Sequence, residues 1–468
     1  MAVNKGPGAA CRHWFLCLCL LLGACAVQPP ASPLPETSGR PAPVRVADES
    51  GQLNTSQAAA AVRRLENEDE HGLLARHLGQ VEAVMTTPLV LGNNAHLLID
   101  GPPTQRAMLR AIAGARQHVD LETYLLEPAG IGERLATLLE AKRAEGVTVR
   151  LIYDSVGSLA TPPEYFVRLK TAGVAVCEFN PVNPLRLQRD AKLSLNNRDH
   201  RKLLIVDNRV AFTGGINISN VYSSGSSSQK NKTPSREEGW RDTHVLVRGP
   251  VVDQFQQLFD ATWHGQRCAA GDKPAPLANQ PAPRAGNMAM RLVAADPLAE
   301  RSELYLALLS AIEHASRRVW LTYGYFAPDE RIIGALQDAA RRRVDVRLVL
   351  PGFSDFWAPL HAGRSRYSGL LEAGARIFER HDALLHAKTA VIDGVWSSVG
   401  STNLDWRSFV HNYEADLLVL DSAFAGELEN LFGLDQAASH EILASEWARR
   451  GLSSRLLEWL ARRWEYFL

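Results

Sequence analysis

The sequence predicts an α/β fold made of two pseudo-repeated lobes, each a sheet flanked by helices. Three observations predict it. The chain has 468 residues, beyond the size at which one hydrophobic core stops growing. Short apolar runs rich in Val, Ile and Leu alternate with helical stretches. The alternation also repeats itself: Ala111-Ile112 to Val119-Asp120-Leu121 parallels Ala311-Ile312 to Val319-Trp320-Leu321, an offset of 200 residues.

Taken in order, residues 1–24 read as a secretory signal peptide. Lys5 and Arg12 stand in a start without acids, and a nine-residue apolar run from Trp14 to Leu22 precedes Leu22-Gly23-Ala24-Cys25. That run is too short for a bilayer core, which takes about 20 residues. The Leu-Gly-Ala-Cys string resembles a bacterial lipoprotein box, which implies acylation of Cys25 and, with Ala26 following, sorting to the outer membrane. A soluble secretory signal with an incidental Cys25 is the alternative. Residues 25–79 are expected as a lipid-anchored, proline-rich tether and lead-in, on the strength of Pro29, Pro30, Pro33, Pro35, Pro41 and Pro43.

Lobe one is expected over 80–268. After its first helix and strand come Gly146-Val147-Thr148-Val149-Arg150-Leu151-Ile152, a strand, and Gly173, a helix C-cap before another strand. Residues 269–287, with Pro274, Pro276, Pro281 and Pro283, read as the linker. Lobe two, over 288–445, repeats the order with Arg343-Val344-Asp345-Val346-Arg347-Leu348-Val349 and Gly374. Residues 446–468 read as a C-terminal amphipathic helix. Leu457, Leu460, Trp464 and Phe467 form a stripe, with Arg455, Glu458, Arg462 and Glu465 elsewhere. It is either an interfacial anchor or a helix docked on the body.

Composition narrows the function classes. Lys+Arg and Asp+Glu both number 51, so no global charge argues for a nucleic-acid partner. After Cys25 only Cys177 and Cys268 remain; a disulfide between them is open on spacing alone, and no metal-ligand spacing appears.

The chemistry is carried by a doubled motif, His200-x-Lys202-x4-Asp207 and His386-x-Lys388-x4-Asp393. Each is followed by a glycine-led turn ending in Asn, Gly214-Gly215-Ile216-Asn217 and Gly400-Ser401-Thr402-Asn403, with 17 residues from His to Asn in both. With only 9 lysines against 42 arginines, chance supplies on the order of one hundredth of one such match. Residues i and i+2 of a strand share a face, so His and Lys project together. Imidazole attacks phosphorus and carries protons; Lys and Asn bind phosphate oxygens. Two such sets converging on one phosphate would serve a two-step phosphodiester reaction.

Both motifs resemble those of the phospholipase D superfamily. The run Gly400-Ser401-x-Asn403-x-Asp405-x-Arg407-Ser408 with Asn412-x-Glu414 is similar to bacterial cardiolipin synthases. So are Arg241-Asp242-Thr243-His244, Gly249-Pro250, Trp263 and Tyr325-Phe326-x-Pro328-Asp329. The resemblance covers roughly residues 85–440. It implies two phospholipase D-type α/β lobes packed face to face as an internal pseudo-dimer with the active site between them, no cofactor and no metal, and phosphatidyl transfer between phospholipids through a phosphohistidine. His200 is then the nucleophile and His386 the acid/base. Lys202, Lys388, Asn217, Asn403 and Ser401 are expected on the phosphate oxygens, and Asp242 and Glu414 on the imidazoles. Asp207 and Asp393 complete the catalytic motifs or bind backbone. Implied partners are phosphatidylglycerol, phosphatidylethanolamine as an alternative donor, and a membrane surface met by a monomer. Expected with them is a basic stretch of Arg186, Arg189, Lys192, Arg198, Arg201 and Lys202, facing headgroups or lying as a solvated loop. The expected place is the periplasmic face of the cell envelope, on the outer membrane. A phospholipid hydrolase or a periplasmic nuclease of the same superfamily is the rival. Two departures stand out: a lipoprotein-like start where many cardiolipin synthases carry transmembrane helices, and the longer step from Asn217 to Asp242 through residues 223–238.

Overall fold

The computed structural model describes residues 42–182, 196–226, 235–268, 282–299 and 302–463. The signal peptide, Cys25, the prolines up to Pro41, Arg186, Arg189, Lys192, most of the linker, and Trp464, Glu465 and Phe467 lie outside the described residues.

Lobe one has strands β1 (Leu89–Ile99), β2 (His118–Thr123), β3 (Thr148–Asp154), β4 (Ala175–Phe179), β5 (Lys202–Val206), β6 (Val210–Gly214) and β7 (Thr243–Arg248). Lobe two has β8 (Met288–Ala295), β9 (Arg318–Tyr323), β10 (Asp345–Pro351), β11 (Arg376–Arg380), β12 (Lys388–Ile392), β13 (Trp396–Gly400) and β14 (Asn412–Leu420). The first sheet runs β4-β3-β2-β5-β6-β7-β1. The second runs β11-β10-β9-β12-β13-β14-β8. In each, the first three strands are parallel and the rest antiparallel, so every strand has a counterpart seven places on. β1 also pairs with β8, which stitches the two sheets together along their edges.

The layers follow from the strand alternation. Leu203 and Ile205 of β5 face a core shared by both lobes, while Leu204 and Val206 face helices α3 (Gly101–Ala113), α4 (Ile131–Ala144) and α5 (Pro163–Thr171). In β14, Ala415, Leu417 and Val419 enter the shared core, and Leu418 and Leu420 face the outer layer of lobe two. Strands buried on both faces need apolar side chains on both, and the runs Leu203–Val206 and Leu417–Leu420 have them. The shared core also holds Phe255, Phe259 and Trp263 of α6 (Val252–Gly265) and Phe424 and Leu428 of α11 (Ser422–Ala437). The outer layer of lobe two is α7 (Glu303–His314), α8 (Glu330–Arg341) and α10 (Tyr367–Ala373). Between α8 and α10 runs α9 (Trp357–Arg364); the chain's last helices are α12 (Ala444–Trp447) and α13 (Leu452–Arg463).

Within the segment 25–79, expected as tether and lead-in, the described residues 42–79 carry two helices. Helix α1 (Thr55–Glu68) opens with a capping box between Asn54 and Gln57, and α2 (Leu73–Val81) buries Leu73, Leu74, Leu78 and Val81 in the core of lobe two.

Cys177 on β4 and Cys268 just after α6 form a disulfide, with Cα atoms 5.4 Å apart across 91 residues. Replacing both with Ser is expected to lower stability by about 2–4 kcal/mol, read as an earlier guanidinium midpoint; an unmoved midpoint would mean the crosslink contributes nothing at equilibrium.

Candidate active site

Lys202 opens β5 and Lys388 opens β12, so each motif His stands just outside the mouth of its strand. Backbone bonds across the lobes fix both. His200 N–H donates to the Tyr413 carbonyl at 2.9 Å, and His386 N–H donates to the Arg241 carbonyl at 2.8 Å. A two-residue strand, Arg198–Asp199, pairs in parallel with Asn412 and Tyr413, and Arg241 bridges Leu385 in the same sense. The residue after each acceptor is an acid, and it meets the imidazole of the other lobe. His200 Nδ1 lies 3.0 Å from both Glu414 oxygens; His386 Nδ1 lies 2.7 Å from Asp242 Oδ2. Both carboxylates are fully buried. The glycine-led turns make room for acids: a Cβ on Gly215 would stand 2.1 Å from Asp242 Oδ1, and one on Gly400 2.1 Å from Asp416 Cγ.

The two imidazoles open into one cavity of about 620 Å³, which Asn217, Asn403, Asn412, Arg198 and Arg407 also line. Its two ends differ. Around His386 stand Trp240, Tyr325 and Tyr222, with ring centroids 5.3, 6.0 and 6.2 Å away. His200 has Tyr124 at 5.1 Å. With Nδ1 tied to a carboxylate, Nε2 is the ring nitrogen each His offers to a substrate.

Electrostatics separate the two further. Burial, then Lys202, Lys388 and His386, drive the His200 pKa well below its ordinary value. Burial pushes its partner Glu414 up to about 7, with Lys202 and the Ser401 hydroxyl opposing. Burial also raises Asp242, but the charges of His386 and Lys388 outweigh it and hold the carboxyl below its ordinary range. His386 is lowered by burial and by Lys388, with Asp242 pulling the other way. The two members are lowered for different reasons: burial above all lowers His386, whereas the charge and hydrogen bond of His386, with Lys388 beside them, lower Asp242. Lys202 itself falls to about 7 through burial. Both imidazoles are lowered, and what differs is the acid behind each: Glu414 is raised to about 7, while Asp242 is held ionised and opposes the lowering of His386.

The family described as "Cardiolipin synthase, PLD-like domain" matches residues 108–263 and 308–435. Cardiolipin synthase A of Pseudomonas fluorescens is 37% identical over 360 residues, covering 77% of this chain and 72% of that protein. The chain belongs to the PLD-like cardiolipin synthase family. A cardiolipin synthase of Alkalihalophilus pseudofirmus is 31% identical over 83% of this chain and 74% of its own length. Among solved structures, the phosphatidylserine synthase of Haemophilus influenzae shares the fold at a TM-score of 0.58 and 11% identity, covering 80% of this chain and 95% of that one.

Of the two readings open for Asp207 and Asp393, the structure takes the backbone one and not the catalytic one, and the expected roles of Ser401 and Arg201 need correction. Asp207 and Asp393 end their strands roughly 20 Å of extended chain from the histidines. Asp207 accepts the N–H groups of Arg116, Gln117 and His118 at 2.8–2.9 Å. Asp393 does the same for Ser316, Arg317 and Arg318. They tie each motif strand to the turn before β2 or β9. Ser401 was expected on a phosphate oxygen; its hydroxyl donates to Glu414 at 2.6 Å and accepts the Ala415 N–H. Arg201 was grouped with headgroup-facing bases; it is buried on Thr262 and the Ala295 and Glu414 carbonyls. Lys202 and Lys388 each donate to the carbonyl of their own motif His and lie over the rings of Tyr124 and Tyr325. Sequence reasoning missed Tyr222 and Trp240, which no spacing pointed to.

Asp207→Ala leaves three backbone N–H groups, that of buried His118 among them, without their acceptor and is expected to cost about 1–3 kcal/mol of stability, while purified folded protein keeps its pH–rate profile. A changed profile at unchanged thermal stability would return the residue to the chemistry. Asp242→Asn is expected to lower kcat about 10²–10⁴-fold and to move the basic limb of the pH–rate profile to lower pH, because Asp242 is what raises the His386 pKa. An effect confined to KM would contradict this.

Proposed function

We propose that the chain performs cardiolipin synthase-type phosphatidyl transfer between phospholipids. The observation that carries this reading is the cross-lobe exchange of carboxylates, which sets two unlike imidazoles in one cavity. His200, neutral, attacks the phosphorus of a phosphatidylglycerol through Nε2 while the bond to the glycerol headgroup breaks. His386 Nε2–H gives its proton to the leaving alkoxide. The headgroup hydroxyl of a second phosphatidylglycerol then attacks the phosphohistidine, gives its proton to His386, and the P–N bond breaks to release cardiolipin. Lys202, Lys388, Asn217 and Asn403 stabilise the charge on the non-bridging oxygens. Phosphatidylethanolamine is an alternative donor, since only the leaving alcohol differs.

The same reading places the chain as a monomer on the periplasmic face of the cell envelope, held by acylated Cys25, on the outer membrane. The lipoprotein-like string supports it, as does the Cys177–Cys268 disulfide, since such bonds persist in oxidising compartments.

The test is mass analysis of lipids after incubation with phosphatidylglycerol. Cardiolipin and glycerol are expected, with turnover reduced at least about 10³-fold in His200→Ala and His386→Ala. An acid-labile phosphoenzyme should accumulate in His386→Ala and be absent in His200→Ala. Phosphatidic acid as the sole product would replace transfer with hydrolysis; cleaved DNA with unchanged lipids would point to a nuclease.

A further inference from the structure

Helix α13 is docked the wrong way round for a helix that belongs to a core. Its inner line is Ser454, Glu458 and Ala461, with Glu458 only 4% exposed and Ala461 fully buried against Ala327, Ala358 and Ala362. Glu458 is held there by Arg450 at 2.9 Å, and Arg462 reaches Glu330 at 2.8 Å. The outer line carries Leu452 at 83% exposure, Leu456 at 57%, Leu457, Trp459 and Leu460. A helix stabilised by its own apolar stripe would bury that stripe. Here the polar and small face is buried and the stripe is presented.

The neighbouring helix does the same. α9 packs beside α13, and Trp357, in its first turn, is 54% exposed, as is much of Phe356 just before it. Together the two helices hold seven of the fourteen large apolar side chains that are exposed among the described residues, a concentration that scattered surface hydrophobes do not produce. Two further facts point to what covers it. The stripe is flanked by Arg449, Arg455 and Arg463, while Arg462 is paired with Glu330 and Glu458 lies on the buried face, paired with Arg450. And Phe356 and Pro359 also line the catalytic cavity, so the apolar surface continues to its rim.

We infer that α13 and the start of α9 form the face with which the folded body lies on an anionic lipid bilayer, leucines and tryptophans in the acyl boundary and arginines among the headgroups. The cavity rim then rests at headgroup level, and a lipid reaches the histidines without leaving the surface. The choice of partner rests on the lipid-transfer reading; the geometry of the face does not.

Flotation tests it on the full chain carrying Cys25→Ser, so that no acyl chain holds it on a vesicle. Binding to phosphatidylcholine vesicles containing phosphatidylglycerol is expected, weaker binding without the anionic lipid, and a loss of at least about tenfold in Leu456→Glu/Trp459→Glu, at unchanged thermal stability because both side chains already face solvent. Equal flotation of parent and variant would overturn the inference. So would a parent that is dimeric by light scattering and becomes monomeric in the variant with flotation unchanged, which would make this a face for a second copy. Turnover of dispersed short-chain phosphatidylglycerol, measured on the same proteins, reads the transfer chemistry separately, so failure of one is not mistaken for failure of the other.

Discussion

Everything in the site depends on one exchange: each lobe supplies the buried acid for the other lobe's imidazole. Fully buried carboxylates such as Asp242 and Glu414 are costly unless paired and hydrogen-bonded. Neither has its histidine within its own half. The parallel backbone bridges at Tyr413 and Arg241 set the register, and the side chain one residue further on is then delivered to the opposing Nδ1. The pairing of β1 with β8 and the shared apolar core hold the two halves in the relation that makes this possible.

The pseudo-twofold is close in backbone and broken in chemistry. Asp on one side and Glu on the other differ by a methylene. The longer acid also answers to Ser401 and Asn412, whereas the shorter one sits beside the Tyr222 hydroxyl, 3.3 Å from the same His386 nitrogen. Aromatic rings crowd His386, and arginines line the cavity they share. A repeated fold thus yields two unlike imidazoles, the condition for one to attack while the other handles protons.

The fold was legible because both of its signals are local. The repeat at an offset of 200 located corresponding strands, and the i, i+2 spacing of His200 and Lys202 put them at one strand mouth. Asp242 and Glu414 could be nominated for the imidazoles, but which acid serves which could not, because periodicity carries no information about partners across a domain boundary. Asp207 and Asp393 stayed open between two readings for a related reason: constant spacing marks a constant structural task as readily as a chemical one, and three backbone N–H groups are that task. Ser401 and Arg201 were hidden because their partners, Glu414 and Thr262, are distant in sequence.

The exchange also sets a clock on assembly. Ribosomes deliver the chain from its N-terminus, and His200 waits through 214 further residues before Glu414 exists to orient it. Asp242, by contrast, is made well before its histidine. No truncated or half-emerged chain can therefore hold a working pair. Phosphodiester chemistry begins only when both halves have been made and have closed on each other, which keeps an unfinished polypeptide from attacking the lipids around it.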